Sequence, residues 1–221
     1  MTAREKAVAI QVGDVQLAGT LRIPERAGGI VLFAHGSGSS RFSPRNRHVA
    51  AVLEHAGLAT MLIDLLSERE EKEDSRTGAL RFDIPMLADR LLAATVWLHA
   101  NEGTTSLPLG LFGASTGAGA ALLAAAGRPE LIKAVVSRGG RPDLAGKALR
   151  HVSAPTLLIV GERDSVVLDL NERAATALAT KCKLAIIPGA THLFEEPGAL
   201  EEVAALARDW FSLHLSGRVA G

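Results

Sequence analysis

The sequence predicts a single domain of the α/β class, with a mostly parallel sheet covered by helices on both faces. Short apolar runs alternate with longer segments of helical spacing along most of the chain, which is typical of consecutive strand–helix–strand units. The length of 221 residues suits one large domain. No internal repeat and no low-complexity linker divides the chain, so we assign residues 1–221 to one domain.

The amino-acid composition excludes several other classes of protein. Hydrophobic residues make up 48% of the chain and charged residues 22%, with 24 basic and 24 acidic side chains. This balance excludes a disordered chain and provides no basic surface for nucleic acid. The only cysteine is Cys182, so an internal disulfide and a multi-cysteine metal site are excluded. The single cysteine fits a reducing cytoplasm, where we expect the protein to be located.

The sequence predicts neither a signal peptide nor a transmembrane segment. Residues Met1–Lys6 are followed by no apolar run, so we predict no signal peptide. The stretch Gly103–Gly127 carries no charge, but Pro108 and several glycines interrupt it. Its two halves have the patterns of a strand and a helix, so we do not interpret it as a transmembrane segment.

The order of the elements follows from these patterns. Two strands joined at Gly13-Asp14 form an antiparallel hairpin at one edge of the sheet. The strands are expected at Ala7–Val12, Val15–Ile23, Gly29–Ala34, Ala59–Leu65, Leu107–Phe112, Ala134–Ser137, Thr156–Val160 and Leu184–Ile187. The helices are expected at Asn46–His55, Pro85–Ala100, Gly117–Ala126, Leu144–Arg150, Val167–Thr180 and Pro197–Leu215.

The segment Glu68–Arg76 has an unusual composition, because Ser75 is its only uncharged residue. We interpret it as a solvated surface loop. The alternative is a mobile flap, since the segment leaves the carboxyl end of a central strand, where open α/β sheets place their ligands.

The strongest chemical signal is the motif Gly113-Ala114-Ser115-Thr116-Gly117, between a buried strand and an alanine-rich helix. This G-x-S-x-G pattern in that setting predicts a nucleophile elbow, a sharp turn that exposes Ser115. The free N–H groups at the start of the helix favour developing negative charge. Ser115 is therefore the candidate nucleophile.

A serine nucleophile needs a base and an orienting acid, and in this fold the chain order is serine, acid, histidine. Asp164 follows the Thr156–Val160 strand, with Glu162 as the competing acid. We prefer Asp164 because it lies further into the loop. His192 follows the next strand and is the candidate base.

The loop His35-Gly36-Ser37-Gly38 lies directly beyond a buried strand, at the position that supplies an oxyanion-hole donor in this type of site. We assign the hole to the backbone N–H groups of Ser37 and Thr116. His35 is expected to brace this loop rather than to react.

The segments HGSGSSRFSPRN, GASTG, GERD and GATHLFEEPG together resemble the α/β-hydrolase superfamily, specifically its small, lidless dienelactone-hydrolase-like branch. The resemblance runs from the Gly29 strand to the last helix. It implies the α/β-hydrolase fold with an eight-stranded, mostly parallel sheet, no large cap domain, and a Ser115–His192–Asp164 triad. Dienelactone hydrolases proper use a cysteine where this chain has Ser115, which favours a general ester or thioester. Similar sequences also occur fused to phosphoribosyltransferase domains, and none is expected here.

The sequence contains few indications of the substrate. Arg41, Arg45 and Arg47 follow the oxyanion loop, and Arg138 follows a strand at the same end of the sheet, so they could bind a carboxylate or phosphate. Alternatively, these arginines pair with the acidic segment or hold Ser43-Pro44 in place.

We therefore predict an enzyme that needs no cofactor or metal and hydrolyses a small ester, lactone or thioester. The expected partner is a small-molecule substrate in an open site, with no nucleic acid or membrane involved. An acyltransferase with the same triad and a non-catalytic binding protein are the two alternatives. The oligomeric state is not readable from the sequence.

Overall fold

The computed structural model describes residues 4–215, which form an eight-stranded sheet flanked by helices. The strands are β1 (Arg4–Val12), β2 (Val15–Ile23), β3 (Ile30–Ala34), β4 (Ala59–Ile63), β5 (Leu109–Ala114), β6 (Ile132–Arg138), β7 (Thr156–Gly161) and β8 (Cys182–Ile187). Their spatial order is β1-β2-β4-β3-β5-β6-β7-β8. The β1–β2 and β2–β4 pairs are antiparallel and all others are parallel, which confirms the predicted sheet.

Residues 4–215 form six α-helices, five of which pack on the two faces of this sheet. The six helices are α1 (Pro44–His55), α2 (Glu68–Thr77), α3 (Ile84–Ala100), α4 (Thr116–Gly127), α5 (Ser165–Ala177) and α6 (Ala199–Leu215). Helices α1 and α6 pack in one hydrophobic cluster, and α3, α4 and α5 contribute to the cluster on the opposite face. No cap domain covers the sheet within residues 4–215.

The central strands are apolar at every position because both faces are covered. All residues of β3 and β5 are buried, as expected of parallel strands between two helical layers. On the α1 and α6 face, the rings of Phe33 and Phe112 pack 4.8 Å apart between centroids. This packing holds the carboxyl ends of β3 and β5 side by side.

The prediction of a loop at Glu68–Arg76 is wrong, because this segment forms the helix α2. Ser67 caps it: the Ser67 side chain accepts from the N–H of Glu70, and the Glu70 carboxylate accepts from the N–H of Ser67. Gly78 ends the helix in the left-handed region. Capping and charge interactions stabilise this helix, and the segment has no apolar periodicity that could have revealed it.

Most element boundaries differ from prediction by one to three residues. A second change of type is at Leu144–Arg150, where a 3₁₀ segment over Pro142–His151 replaces the expected short α-helix. Gly146 breaks its helical geometry with a φ of 52°. At β6 the strand extends past Ser137 to include Arg138, which places this arginine on the sheet itself.

In the part of the chain from residue 4 to residue 215, no helix is both long enough and apolar enough to cross a membrane.

Candidate active site

Ser115 lies in a sharp turn between β5 and α4. Its backbone has φ 50° and ψ −121°, and a positive φ is uncommon for a residue other than glycine. The turn is held from both sides: the Ser115 N–H donates to the carbonyl of Arg138 (3.2 Å), and the Arg141 N–H donates to the carbonyl of Ser115 (3.0 Å). A strained and well-supported conformation of this kind is typical of a nucleophile elbow.

The two glycines of the motif have a steric reason. A Cβ at Gly113 would lie 2.4 Å from the Cα of Ala118, and a Cβ at Gly117 would lie 2.4 Å from the carbonyl oxygen of His35. Any larger residue would therefore push helix α4 away from strand β5 or away from the loop after β3. The glycines bring the start of α4 against both elements.

The base and the acid predicted from the sequence are in contact. Nδ1 of His192 lies 2.6 Å from Oδ2 of Asp164, and the Asp164 side chain is only 15% exposed. Because an ionised carboxylate only accepts, Nδ1 carries the proton in this bond and Nε2 is left as an acceptor. The competing acid Glu162 instead accepts from the N–H of Gly189 (2.7 Å), so it supports the backbone of the histidine loop.

The segment Arg138–Gly140 lies between the serine and the histidine. Its first carbonyl accepts from Ser115, while a Cβ at Gly139 would lie 3.3 Å from the carbonyl oxygen of His192 and 3.4 Å from two of its ring atoms. Gly139 itself has a φ of 49°. No hydrogen bond joins Ser115 Oγ to His192 across residues 4–215, and catalytic hydrogen bonds of this kind often tighten only with substrate.

The predicted oxyanion donors also lie together, with one unexpected contact. The Ser37 N–H donates to Oγ1 of Thr116 (2.9 Å), so an oxyanion would have to share this donor with the threonine hydroxyl. The Thr116 N–H has no hydrogen-bond partner in the described part of the chain. A Cβ at Gly36 would lie 3.0 Å from Cβ of Ser115, which shows how closely this loop approaches the candidate nucleophile.

His35 braces the oxyanion loop, as the sequence predicts. It is 7% exposed. Nε2 accepts from the Leu65 N–H (3.0 Å) and Nδ1 lies 2.9 Å from the carbonyl of Gly36. The Leu65 partner fixes the tautomer with the proton on Nδ1.

Sequence reasoning missed the network that continues from Leu65. The Leu65 carbonyl accepts from Nη1 of Arg90 (2.6 Å), and Nη2 of Arg90 binds Oε1 of Glu70 (2.6 Å). Burial raises the pKa of the Glu70 carboxyl, but hydrogen bonds from Arg90 and Ser67 outweigh it, so the net pKa is lower than usual. Helices α2 and α3 are thereby connected to the loop that carries the candidate oxyanion donor Ser37.

The structure separates the candidate substrate-binding arginines. Arg41 binds Asp64 through both its backbone N–H and its guanidinium and lies over the ring of Phe42. Its acidic partner is therefore Asp64 and not a residue of the acidic segment, and its guanidinium is already engaged within the protein. Arg47 also lies over Phe42, at 5.7 Å. Arg45 reaches Glu195 at 3.4 Å, and Arg138 is buried without an acidic partner among residues 4–215.

Helix α2 contributes to the rim of a small recess beside the oxyanion loop. This recess is narrow and includes the loop His35–Gly38, Glu71, Arg81 and Thr116 in its lining. Among residues 4–215, no group of three or more histidine, cysteine or acidic side chains is arranged to hold a metal ion.

Comparison with known proteins agrees with this architecture. The family described as "Alpha/beta hydrolase domain" matches residues 27–205. A dienelactone hydrolase structure from Anabaena variabilis is 63% identical, with a TM-score of 0.95 over 96% of this chain and 99% of that one. Est1E from Butyrivibrio proteoclasticus shares the fold at 17% identity, with a TM-score of 0.79 over 94% and 98% of the two chains.

Two curated relatives from strains of Mycobacterium tuberculosis are 60% identical over 214 residues and carry the name "Putative phosphoribosyl transferase". The match covers 97% of this chain and 47% of each relative, so the chain spans about half of their length. The family match and the 63%-identical structure each extend over most of this chain, and the chain therefore belongs to the α/β-hydrolase family, in which it is dienelactone-hydrolase-like.

Proposed function

We propose that this protein is a serine hydrolase that cleaves a small ester, lactone or thioester through an acyl-enzyme on Ser115. The observation that carries the proposal is the strained serine turn at the end of β5, together with the 2.6 Å contact between His192 and Asp164 at the same edge of the sheet. Serine needs a base to become nucleophilic, and a base oriented by a carboxylate meets that need.

Each residue has one role in the reaction. Nε2 of His192 accepts the Ser115 proton as Oγ forms a bond to the substrate carbonyl carbon, and Asp164 supports the resulting imidazolium. The Thr116 N–H and, in competition with the Thr116 hydroxyl, the Ser37 N–H bind the oxyanion. The imidazolium returns its proton to the leaving alcohol or thiol, and the acyl group stays on Ser115.

Water then completes the cycle. His192 takes a proton from a water molecule that attacks the acyl carbon, and the acid product leaves as Ser115 regains its proton. If an alcohol or amine attacks instead, the same site is an acyltransferase. Product analysis with added acceptors distinguishes the two reactions.

Two further findings support hydrolysis of a small substrate. The 63%-identical neighbour is a dienelactone hydrolase. Within residues 4–215, no cap domain covers the end of the sheet at which Ser115 lies. The phosphoribosyl transferase name belongs to relatives about twice as long. Since hydrolase-family similarity accounts for residues 27–205 of this chain, we assign hydrolase chemistry to it.

The test is pre-steady-state hydrolysis of p-nitrophenyl acetate, butyrate and octanoate by the wild type and Ser115→Ala. We expect a stoichiometric burst of p-nitrophenol in the wild type and its loss in the variant, with turnover lower by several orders of magnitude, about 10⁴-fold or more. Ser75→Ala, on the exposed surface of α2, is the matched control and retains the burst.

Equal activity of Ser115→Ala and wild type would overturn the assignment of the nucleophile. If the folded wild type shows no burst and a fluorophosphonate probe leaves Ser115 unlabelled, the protein is a binding protein on a hydrolase scaffold. Labelling of Ser115 without a burst would instead indicate a narrower substrate.

A further inference from the structure

Arg138 is a buried cation next to the candidate nucleophile. It is the last residue of β6, its carbonyl accepts from the Ser115 N–H, and it is 8% exposed. Along β6, Ala134 and Val136 face the α1 and α6 cluster, so Arg138 extends toward the same face. Its guanidinium carbon lies 6.0 Å from the centroid of the Phe112 ring.

No carboxylate neutralises this guanidinium within residues 4–215. Arg138 is absent from every ion pair that these residues form, and its Nη1 is buried with no hydrogen-bond partner. Burial and then the nearby Arg45 lower the pKa of Arg138 to about 10. The side chain is therefore still charged at neutral pH, and a second positive charge is its main electrostatic neighbour.

Arg45 extends the positive region. It is the second residue of α1, whose N-terminal end carries the positive pole of the helix dipole. Nε of Arg45 is buried without a partner among residues 4–215. Nη1 of Arg45 lies 3.4 Å from the exposed carboxylate of Glu195, which is a long contact. Two arginines and a helix N-terminus thus lie near one another at this side of the sheet, and no described acidic side chain forms an ion pair with Arg138.

The position of this positive region relates it to the reaction. The backbone after Arg138 contacts His192, and the backbone of Arg138 holds Ser115. If the Arg138 guanidinium bound one group of a small molecule, another group of the same molecule could therefore reach Ser115. Buried charges without a partner are costly and rare, and an anionic ligand would supply the missing charge and hydrogen bonds.

We propose that Arg138, assisted by Arg45, forms a subsite for an anionic group of the substrate, either a carboxylate or a phosphate. This inference rests on the proposed hydrolase function and adds a substrate class to it: esters, lactones or thioesters that carry a negative charge away from the reacting carbonyl. Planar guanidinium groups suit both anions because their paired N–H donors match two oxygens.

The direct test compares two substrates that differ only in charge. Mono-p-nitrophenyl glutarate carries a free carboxylate, and its methyl ester is the neutral counterpart. We expect the wild type to show a ratio of kcat/KM for the anionic over the neutral substrate of about 10 to 100, since a hydrogen-bonded charge pair contributes on this scale. In Arg138→Gln this ratio falls to about one, and Arg138→Lys retains part of it.

The matched control is Arg150→Gln, which removes an exposed arginine at the end of the 3₁₀ segment and leaves the ratio at its wild-type value. A wild-type ratio near one, or an Arg138→Gln ratio equal to that of wild type, would overturn the proposal. Arg45→Gln, at a half-buried position in the first turn of α1, provides a second variant that leaves Arg138 in place, and we expect it to lower the ratio by about threefold to tenfold.

A binding experiment separates this inference from the proposed function. We expect glutarate or inorganic phosphate to raise the melting temperature of Ser115→Ala but not that of Ser115→Ala/Arg138→Gln. The stronger of the two ligands identifies the anion as carboxylate or phosphate. If the wild type shows no acyl-enzyme burst but this difference persists, the hydrolase proposal fails and the anion site remains. If the burst occurs and neither ligand acts through Arg138, the anion site fails alone.

Discussion

On the α3 face of the sheet, Arg90 is 5% exposed and binds both the Glu70 carboxylate and the Leu65 carbonyl. On the α1 and α6 face, Arg138 is 8% exposed and its Nη1 has no partner in the described residues. The two arginines are similarly buried, and each contacts a loop or turn of the candidate site. The difference is that helix α2 brings a carboxylate to Arg90, whereas no element within residues 4–215 brings one to Arg138.

This comparison shows that burial alone does not reveal what a charged residue does. A buried arginine whose donors are satisfied by its own protein stabilises the fold and holds neighbouring loops, and here the loop is the one with His35 and the oxyanion donors. A buried arginine without such partners destabilises the fold unless a ligand completes it. Arg90 therefore supports the loop around His35, whereas Arg138, on the opposite face, has a donor left for a ligand.

The largest effect is expected from Asp164→Asn. The amide can no longer accept the Nδ1 proton as a carboxylate does, so His192 loses its orientation and its charge partner, and kcat should fall by about 10⁴-fold. Glu162→Gln is the matched control on the same loop, because the Glu162 carboxylate accepts from the backbone N–H of Gly189 and not from the His192 ring. Burst kinetics and urea unfolding measure both variants; equal losses of kcat would contradict the assignment of Asp164 as the orienting acid.

Replacing each of the two arginines with methionine tests whether they have different roles. Arg90→Met leaves Glu70 without its cation and the Leu65 carbonyl without a donor, so we expect about 3–5 kcal/mol lower free energy of unfolding. Arg138→Met removes an unpaired charge and keeps an apolar chain against Phe112, so we expect unchanged stability or a gain of up to about 2 kcal/mol. Urea unfolding at neutral pH measures both, and a similar loss in the two variants would show that Arg138 is structural too.

Acid titration of the same variants sharpens this result. The folded-state pKa of Glu70 lies below its ordinary value of 4.5. The contribution of Glu70 to the free energy of unfolding is therefore fully present above pH 4.5 and is lost as the pH falls through the folded-state pKa. Arg90→Met should weaken this part of the pH dependence, and Arg138→Met should leave it unchanged.

The smallest effect is expected at Thr116. Its hydroxyl accepts from the Ser37 N–H and so holds one candidate oxyanion donor next to the other. Thr116→Val removes this acceptor, and we expect kcat to fall by about tenfold, whereas Thr116→Ser keeps the hydroxyl and most of the activity. A rise in kcat for Thr116→Val would mean that the hydroxyl blocks the Ser37 donor rather than positions it.

Much of the fold was predictable because its signals are local. The fully apolar strands, the glycine-flanked serine and the order of Ser115, Asp164 and His192 are all visible in short segments of the chain, and the structure confirms the sheet they predict. Helix α2 was missed because capping by Ser67 and pairing of Glu70 with Arg90 stabilise it, and the second of these contacts joins residues 20 positions apart.

The sequence by itself determined the chain order of the candidate serine, acid and histidine, and the turn that the glycines around Ser115 require. Only the tertiary structure decided which polar and charged groups are paired: it brought Asp64 to Arg41, Glu70 to Arg90 and Thr116 to Ser37. Among residues 4–215 it left Nη1 of Arg138 buried without a partner. The physical reason is that a turn depends on the backbone and neighbouring side chains. The pairing of a charge depends on which strands and helices the fold packs together.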